Sequence, residues 1–279
     1  MEKIKILDKR TASVLGVFLI CIIASLVFEK VFVVKGVDVA NIRWSYNKLT
    51  GTLRFETTRK SNGKMYDYGS GCDEYNQDAP WWKYKETCKH VAFGTGITHI
   101  GWSTCENFGK LTSVSFSEDL QEIGYSAFSR CRLLETLRCP RKLRLIGVAS
   151  FDESGLVNVE LNEGLKEIDA WAFNETEIEE ILIPQSVEKI EKGAFGNCEY
   201  LKKITLPKGI NYLGTGVFYE SYGIEKIRIE SKKITEVEKD AFKEINPEVV
   251  VEVPKEKYDE YKEMLYTHGI PETAKVVAY

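Results

Sequence analysis

Ile123, Ile146, Ile168, Ile190, Leu213 and Val237 recur at spacings of 23, 22, 22, 23 and 24 residues, and Ile100 precedes the first by 23. Five residues after each of those six stands a phenylalanine: Phe128, Phe151, Phe173, Phe195, Phe218 and Phe242, four of them in Ala-Phe pairs. Self-similarity at such a period is the signature of a stacked array and governs every local assignment. Each unit also carries an apolar triplet, such as Leu134, Leu137 and Cys139, or Ile178, Ile181 and Ile183, whose last two members are two apart and share one face of a strand. Pro140, Pro184, Pro207 and Pro254 end four of these strands, where a missing N–H breaks the ladder at little cost. A second apolar pair follows, such as Leu165 and Ile168. Each unit is therefore one coil: a strand, a turn, a short extended piece, and a tight turn around the phenylalanine. A lone coil buries too little to offset its own ordering and folds only by stacking on neighbours.

The stretch Ile123-Gly-Tyr-Ser-Ala-Phe-Ser-Arg-Cys131, continued by Leu134, Leu137 and Pro140, resembles the BspA-type leucine-rich repeat of bacterial and some protozoan surface proteins. The resemblance covers residues 91–254 and extends to the segment before it, through Gly51-Thr-Leu53, Phe55, Met65, Tyr68, Pro80-Trp81, Val91 and Phe93. Cys105 in the first unit and Ile245 in the last depart from the pattern, at ends where repeats are atypical. The resemblance implies an α/β leucine-rich-repeat-type right-handed solenoid, strand-rich with short helical turns, and a role in surface recognition or adhesion.

Thr11 to Phe28 is eighteen residues without a charge; as a helix it spans about 27 Å, close to the hydrocarbon core of a bilayer. Lys3, Lys5, Lys9 and Arg10 precede it, which orients residues 1–10 to the cytoplasm and everything after it outside. The segment is a transmembrane anchor or, alternatively, a signal peptide; no small-x-small cleavage pattern follows it closely. Residues 29–43 read as a tether, 44–90 as an N-terminal hairpin cap, 91–254 as a solenoid of seven coils, and 255–279 as a helical C-terminal cap. In the first cap, Thr52–Thr57 alternates at period two, Ser61-Asn62-Gly63 is a turn before Lys64–Tyr68, and Trp81 and Trp82 are available to cover the first coil. In the second, Tyr258, Tyr261 and Leu265 share a helical face that Gly269 ends.

The net charge is −4, and residues 1–35 hold six Lys and Arg against Glu2, Asp8 and Glu29, so the exported part carries −7. An acidic domain has no footprint for nucleic acid. His90, His99 and His268 are the only histidines, and no Cys/His or serine-elbow arrangement appears; no acidic partner for His90 or His99 is suggested by spacing. No cofactor or metal is expected and the chain does not read as an enzyme. Gly94-x-Gly96 and Gly214-x-Gly216 read as coil turns, and Glu175, Glu177, Glu179 and Glu180 as a solvated face. Asn174-Glu-Thr176 fits a glycosylation acceptor in a eukaryotic host.

Six of the seven cysteines lie beyond the apolar run. Cys131 and Cys198 stand three after their phenylalanine, where other coils carry Ser154, Thr176 and Ser221, a position that wants a small residue with a donor; with Cys105 and Cys139 they are expected to be reduced and buried. Cys72 and Cys88, flanking Pro80-Trp-Trp82, are the candidate disulfide.

The outward strand row, Ser115, Arg138, Glu160, Leu182, Thr205 and Arg228, is mixed in sign. The row two residues after each repeat isoleucine is more telling: Trp102, Tyr125, Val148 and Ala170 give way to Lys192, Thr215 and Lys239, with Trp171 one position further on. Exposed aromatics mark contact sites. Trp102, Tyr125, Trp171, Tyr219 and Tyr222 are the candidate partner-binding residues, the first two of which the cap alternatively covers. The expected function is non-catalytic recognition of a protein or cell-surface ligand; the alternative is a secreted structural or accessory protein that self-associates in the cell envelope.

Overall fold

The computed structural model describes residues 17, 19, 21–23, 25, 27, 29–68 and 79–279. Two parallel ladders run along its length. The short-strand ladder joins β5 (His99–Ile100), β7 (Glu122–Ile123), β9 (Leu145–Ile146), β11 (Glu167–Ile168), β13 (Lys189–Ile190), β15 (Tyr212–Leu213) and β17 (Glu236–Val237). Its register pairs Ile100 with Ile123, Ile146, Ile168, Ile190, Leu213 and Val237 in turn, so the repeat period of the sequence is the hydrogen-bond register of the sheet.

The opposite ladder consists of β4 (His90–Phe93), β6 (Ser113–Ser115), β8 (Thr136–Arg138), β10 (Asn158–Glu160), β12 (Glu180–Ile181), β14 (Lys203–Leu206), β16 (Lys226–Ile229) and β18 (Val250–Val253), broken between β6 and β8 and between β10 and β12. Eight strands, β4 to β18, make eight turns where seven were expected. Pro140, Pro184 and Pro207 follow their strands, and each proline carbonyl accepts at 3.1 Å from the amide three residues on, of Leu143, Val187 and Ile210. That turn sends the chain back toward the short ladder.

Between the ladders lies the core. Phe128, Phe151, Phe173, Phe195, Phe218 and Phe242 are all fully buried, their rings stacked coil on coil at 5.4, 5.7, 5.5, 6.3 and 6.2 Å between centroids. Such offset contacts add to the area each ring removes from water. The helical turns expected around these rings are not helices. The chain there is a run of turns with two left-handed residues per coil, whose amides alternate between the next coil, as Ser126 N to Val148 O at 2.9 Å, and their own, as Ala127 N to Gly124 O at 3.3 Å.

The N-terminal cap also differs from expectation. Residues 33–37, read as part of a tether, form β1 (Val33–Val37), antiparallel to β2 (Ile42–Asn47), which is antiparallel to β3 (Thr52–Thr57). The hairpin turn is therefore Lys48–Gly51, with Gly51 at φ 67 and Asn47 Oδ1 accepting from Leu49 N at 2.9 Å. The hydrogen-bonded turn is Thr58–Ser61, earlier than the expected Ser61-Asn62-Gly63, with Ser61 N donating to Thr58 O at 3.1 Å; Gly63 O then accepts from Thr98 N of the first coil at 2.8 Å and Lys64 bridges His99. Trp81 fills the cap core, edge-on to Phe55 at 4.7 Å and Tyr68 at 5.2 Å, and its Nε1 donates to Thr104 O of the first coil at 2.8 Å.

At the other end, helix α1 (Tyr258–Thr267) buries Tyr261 and Leu265, as its face pattern requires. Ile234 N donates to the Tyr261 hydroxyl at 3.3 Å and Phe242 N to His268 O at 3.0 Å, so the helix closes the last short strand. Gly269, at φ 93, ends it, and β19 (Lys275–Ala278) adds in parallel to β18. The expected helical cap is thus a helix followed by a strand.

Of the expected membrane segment 11–28, residues 11–16, 18, 20, 24, 26 and 28 lie outside the described residues; the others are helical. Among the described residues no helix is long and apolar enough to cross a membrane.

Candidate functional site

Each coil crosses one ridge of the solenoid in a turn whose third and seventh residues after the repeat isoleucine have positive φ. The third-position residues are Ser103, Ser126, Ala149, Trp171, Gly193, Gly216 and Asp240, at φ 49, 49, 50, 54, 60, 56 and 60. Left-handed backbone aims their amides along the stack: Trp171 N donates to Lys192 O at 2.9 Å and Gly193 N to Thr215 O at 3.0 Å. In this region any side chain with a Cβ is strained by about 1–2 kcal/mol, and a bulky one is an outlier. Trp171 is the bulky one.

Its indole lies on the next coil. A Cβ at Gly193 would stand 2.6 Å from Trp171 Cδ1, and one at Gly196 would stand 2.9 Å from Asn174 Oδ1. These glycines, with Gly216, form the floor of a cleft of about 420 Å³ with Trp171 on one side and Tyr219 and Lys243 on the other. That volume is within the usual range for small-ligand sites. Trp171 is 40% and Tyr219 39% exposed. Lys192 Nζ stands 5.0 Å over the indole, a cation–π contact. The Tyr219 hydroxyl faces the carboxylates of Glu220 and Glu244, whose hydrogen bonds and charge push its pKa up to about 12 and fix the ring at the cleft wall.

A ladder of polar side chains feeds this cleft from the preceding coils. Asn197 Nδ2 donates to Asn174 Oδ1 at 3.0 Å, and Asn174 Nδ2 donates to Asp152 Oδ1 at 2.7 Å. Burial pushes the Asp152 carboxyl up to about 6, against the lowering effect of the Asn174 bond.

Of the five candidate contact residues, Trp171 and Tyr219 meet in this cleft. Trp102 and Tyr125 form a separate pair near the cap, 6.0 Å between ring centroids; Trp102 stays 42% exposed and Tyr125 is half-buried. Tyr222 is exposed and lines none of the cleft. The glycine floor was missed in the sequence. Its signal was the third-position column, in which a tryptophan stands among Ser, Ala, Gly and Asp. The coil register also supplies His99 with an acidic partner that spacing had not suggested: Glu122 lies 3.3 Å away in the next coil, while burial holds the imidazole below its ordinary pKa.

The outward strand row is neutralised across coils, with Arg138 on Glu160 at 2.8 Å and Arg228 on Glu252 at 2.7 Å. Leu182 projects from it, 78% exposed.

Cys105, Cys131, Cys139 and Cys198 are free and buried. Cys131 Sγ donates to Cys105 O at 3.2 Å and Cys198 Sγ to Phe173 O at 3.2 Å, as Ser221 Oγ does to Phe195 O at 2.8 Å, so the small donor at this position satisfies a buried carbonyl of the preceding coil. Two positions differ: Thr176 Oγ1 donates to Phe173 O of its own coil at 2.9 Å, and the Ser154 hydroxyl has no partner among the described residues. Cys88 is also buried, its Sγ turned to His90 O at 3.5 Å; Cys72, the other half of the candidate disulfide, lies outside the described residues. Among the described residues no group of three or more His, Cys, Asp or Glu is placed to hold a metal.

Fold and ridge together define a parallel strand-and-turn solenoid with a surface cleft built by several consecutive repeats. The model of the BspA type leucine-rich repeat region matches residues 82–135 and 121–248, in six copies, and the chain belongs to that family. A leucine-rich repeat protein from Eubacterium ventriosum is 19% identical, with a TM-score of 0.59; the match covers 80% of this chain and 66% of that one, just under two thirds of its length. The fold is shared. The T. pallidum leucine-rich repeat protein is 17% identical over 88% of this chain and 97% of its own, with a TM-score of 0.46. No curated protein matches the chain.

Proposed function

We propose that this chain is a non-catalytic recognition protein displayed outside the cell, held in the membrane through residues 11–28, which meets a protein or cell-surface ligand through the ridge cleft. The observation that carries the reading is Trp171, an exposed indole on left-handed backbone at φ 54. The left-handed backbone disfavours a bulky residue there, whereas a partner gains an aromatic anchor on a preformed surface. Display is supported by the basic residues ahead of an uncharged run, and by Val17, Leu19, Ile22, Ile23 and Val27, helical positions with exposed apolar side chains. Because β1 begins at Val33, the cap would sit directly on the membrane surface.

Protease added to intact cells is expected to remove the repeats while Met1 or Glu2 stays in the membrane fraction. A chain that begins after residue 25 and appears in the medium would instead make the segment a cleaved signal and the protein a diffusible binder. Binding to the native surface should weaken at least about tenfold in a Trp171→Gly, Tyr219→Ala double variant of unchanged Tm. Undiminished binding removes the cleft from the function.

A further inference from the structure

We infer that the ridge cleft takes a neutral saccharide ring, stacked on Trp171, with its hydroxyls accepting from Lys192 and Asn197 and donating to the Asp240 carboxylate. This rests on the reading that the cleft is the contact site, and it names the chemistry the cleft accepts. A pyranose presents an apolar C–H face and a rim of hydroxyls, each of which both donates and accepts. The cleft presents the complement of both. Its walls are the exposed faces of Trp171 and Tyr219, whose negative π-clouds attract the positive hydrogens of a C–H face. Gly193 and Gly196 lie under Trp171 and Asn174, while at Gly216 an added Cβ would meet only Tyr219, so a ring can approach backbone there.

The polar groups around that floor are of both signs and have capacity left. Lys192 makes a cation–π contact with Trp171, and among the described residues it has no ion pair and the Asp240 carboxylate has no side-chain hydrogen-bond partner. Asn197 gives one N–H to Asn174 Oδ1 at 3.0 Å, which orients its amide and leaves its oxygen and second hydrogen for a ligand. An anionic ligand would meet Asp240, and a cationic one would meet Lys192 and Lys243. A neutral ring with hydroxyls conflicts with none of them. At about 420 Å³ the cleft holds one or two such rings.

The test uses the full chain in detergent with four neutral probes, cellobiose, maltose, lactose and N,N′-diacetylchitobiose, read by saturation-transfer NMR and tryptophan fluorescence. At least one probe is expected to bind saturably. Trp171→Gly, which the left-handed backbone accepts, should weaken it at least about tenfold at unchanged Tm, and Lys192→Ala or Asp240→Ala by about 3–10-fold each. Saturable binding that Trp171→Gly leaves unchanged overturns the placement of the sugar. If no probe binds, while attachment to the native surface still falls in the Trp171→Gly, Tyr219→Ala variant, the saccharide class is overturned and the cleft reading survives. If neither sugar nor surface binding depends on these residues, both readings fall.

Discussion

In the core, the fifth residue after the repeat isoleucine is phenylalanine in six successive coils, from Phe128 to Phe242, whereas on the ridge the third residue is Ser, Ser, Ala, Trp, Gly, Gly or Asp. The difference is physical. Each buried ring is packed by the rings above and below it, so any other shape leaves a void in two neighbouring coils. The ridge position is constrained by its backbone sign, and its burial varies from the buried Ser103 and Ser126 to Trp171, which is 40% exposed. Stability is therefore written in the column that repeats, and the proposed recognition in the column that departs.

The sharpest way to break this contrast is Phe173→Ala, in the middle of the stack. It should cost about 3–5 kcal/mol and lower the urea midpoint of the whole domain; a loss under 1 kcal/mol would mean that the stack is not what holds the coils. Gly193→Ala comes next. With φ at 60 and a Cβ 2.6 Å from the Trp171 ring, it should cost roughly 2 kcal/mol and displace the indole, seen as a shift in tryptophan emission. Trp171→Gly follows: relief of left-handed strain and loss of the indole's packing on the next coil oppose each other, so stability should change by less than about 1 kcal/mol while ligand binding weakens at least about tenfold, a split that no core substitution can show.

The smallest effect concerns Asp152. Its carboxyl titrates at about 6 in the folded chain and near 4 when unfolded. The native state thus binds more protons between those values, and stability falls as pH rises through them. Asp152→Asn should flatten this slope and stabilise the neutral protein by no more than about 1 kcal/mol, since solvent screens part of the effect. A denaturation series across pH 4 to 7 checks it.

The register of the solenoid was legible residue by residue, because a period of 22 to 24 pins every isoleucine to the one above it. The buried donor beneath each phenylalanine was legible for the same reason: Cys131, Cys198 and Ser221 occupy one column. The cap was not, since β1 continues an apolar run with no turn signal of its own, and its antiparallel partner is chosen by tertiary packing around Trp44 and Trp81. Trp171 and Tyr219 were legible as exposed aromatics. That they share a cleft was not, because its floor exists only once glycines from neighbouring coils are brought side by side.

The sealed thiols have a consequence for how this protein is made. Burial holds Cys88 and Cys139 up at about 12 and Cys198 at about 11, so none is an appreciable thiolate once the coils have stacked. Before stacking, those same sulfurs are ordinary, accessible and free to cross-link. If the domain is exported into an oxidising compartment, its coils must close faster than its cysteines find one another, and any slow-folding variant should accumulate as wrongly bridged chains that a reductant rescues.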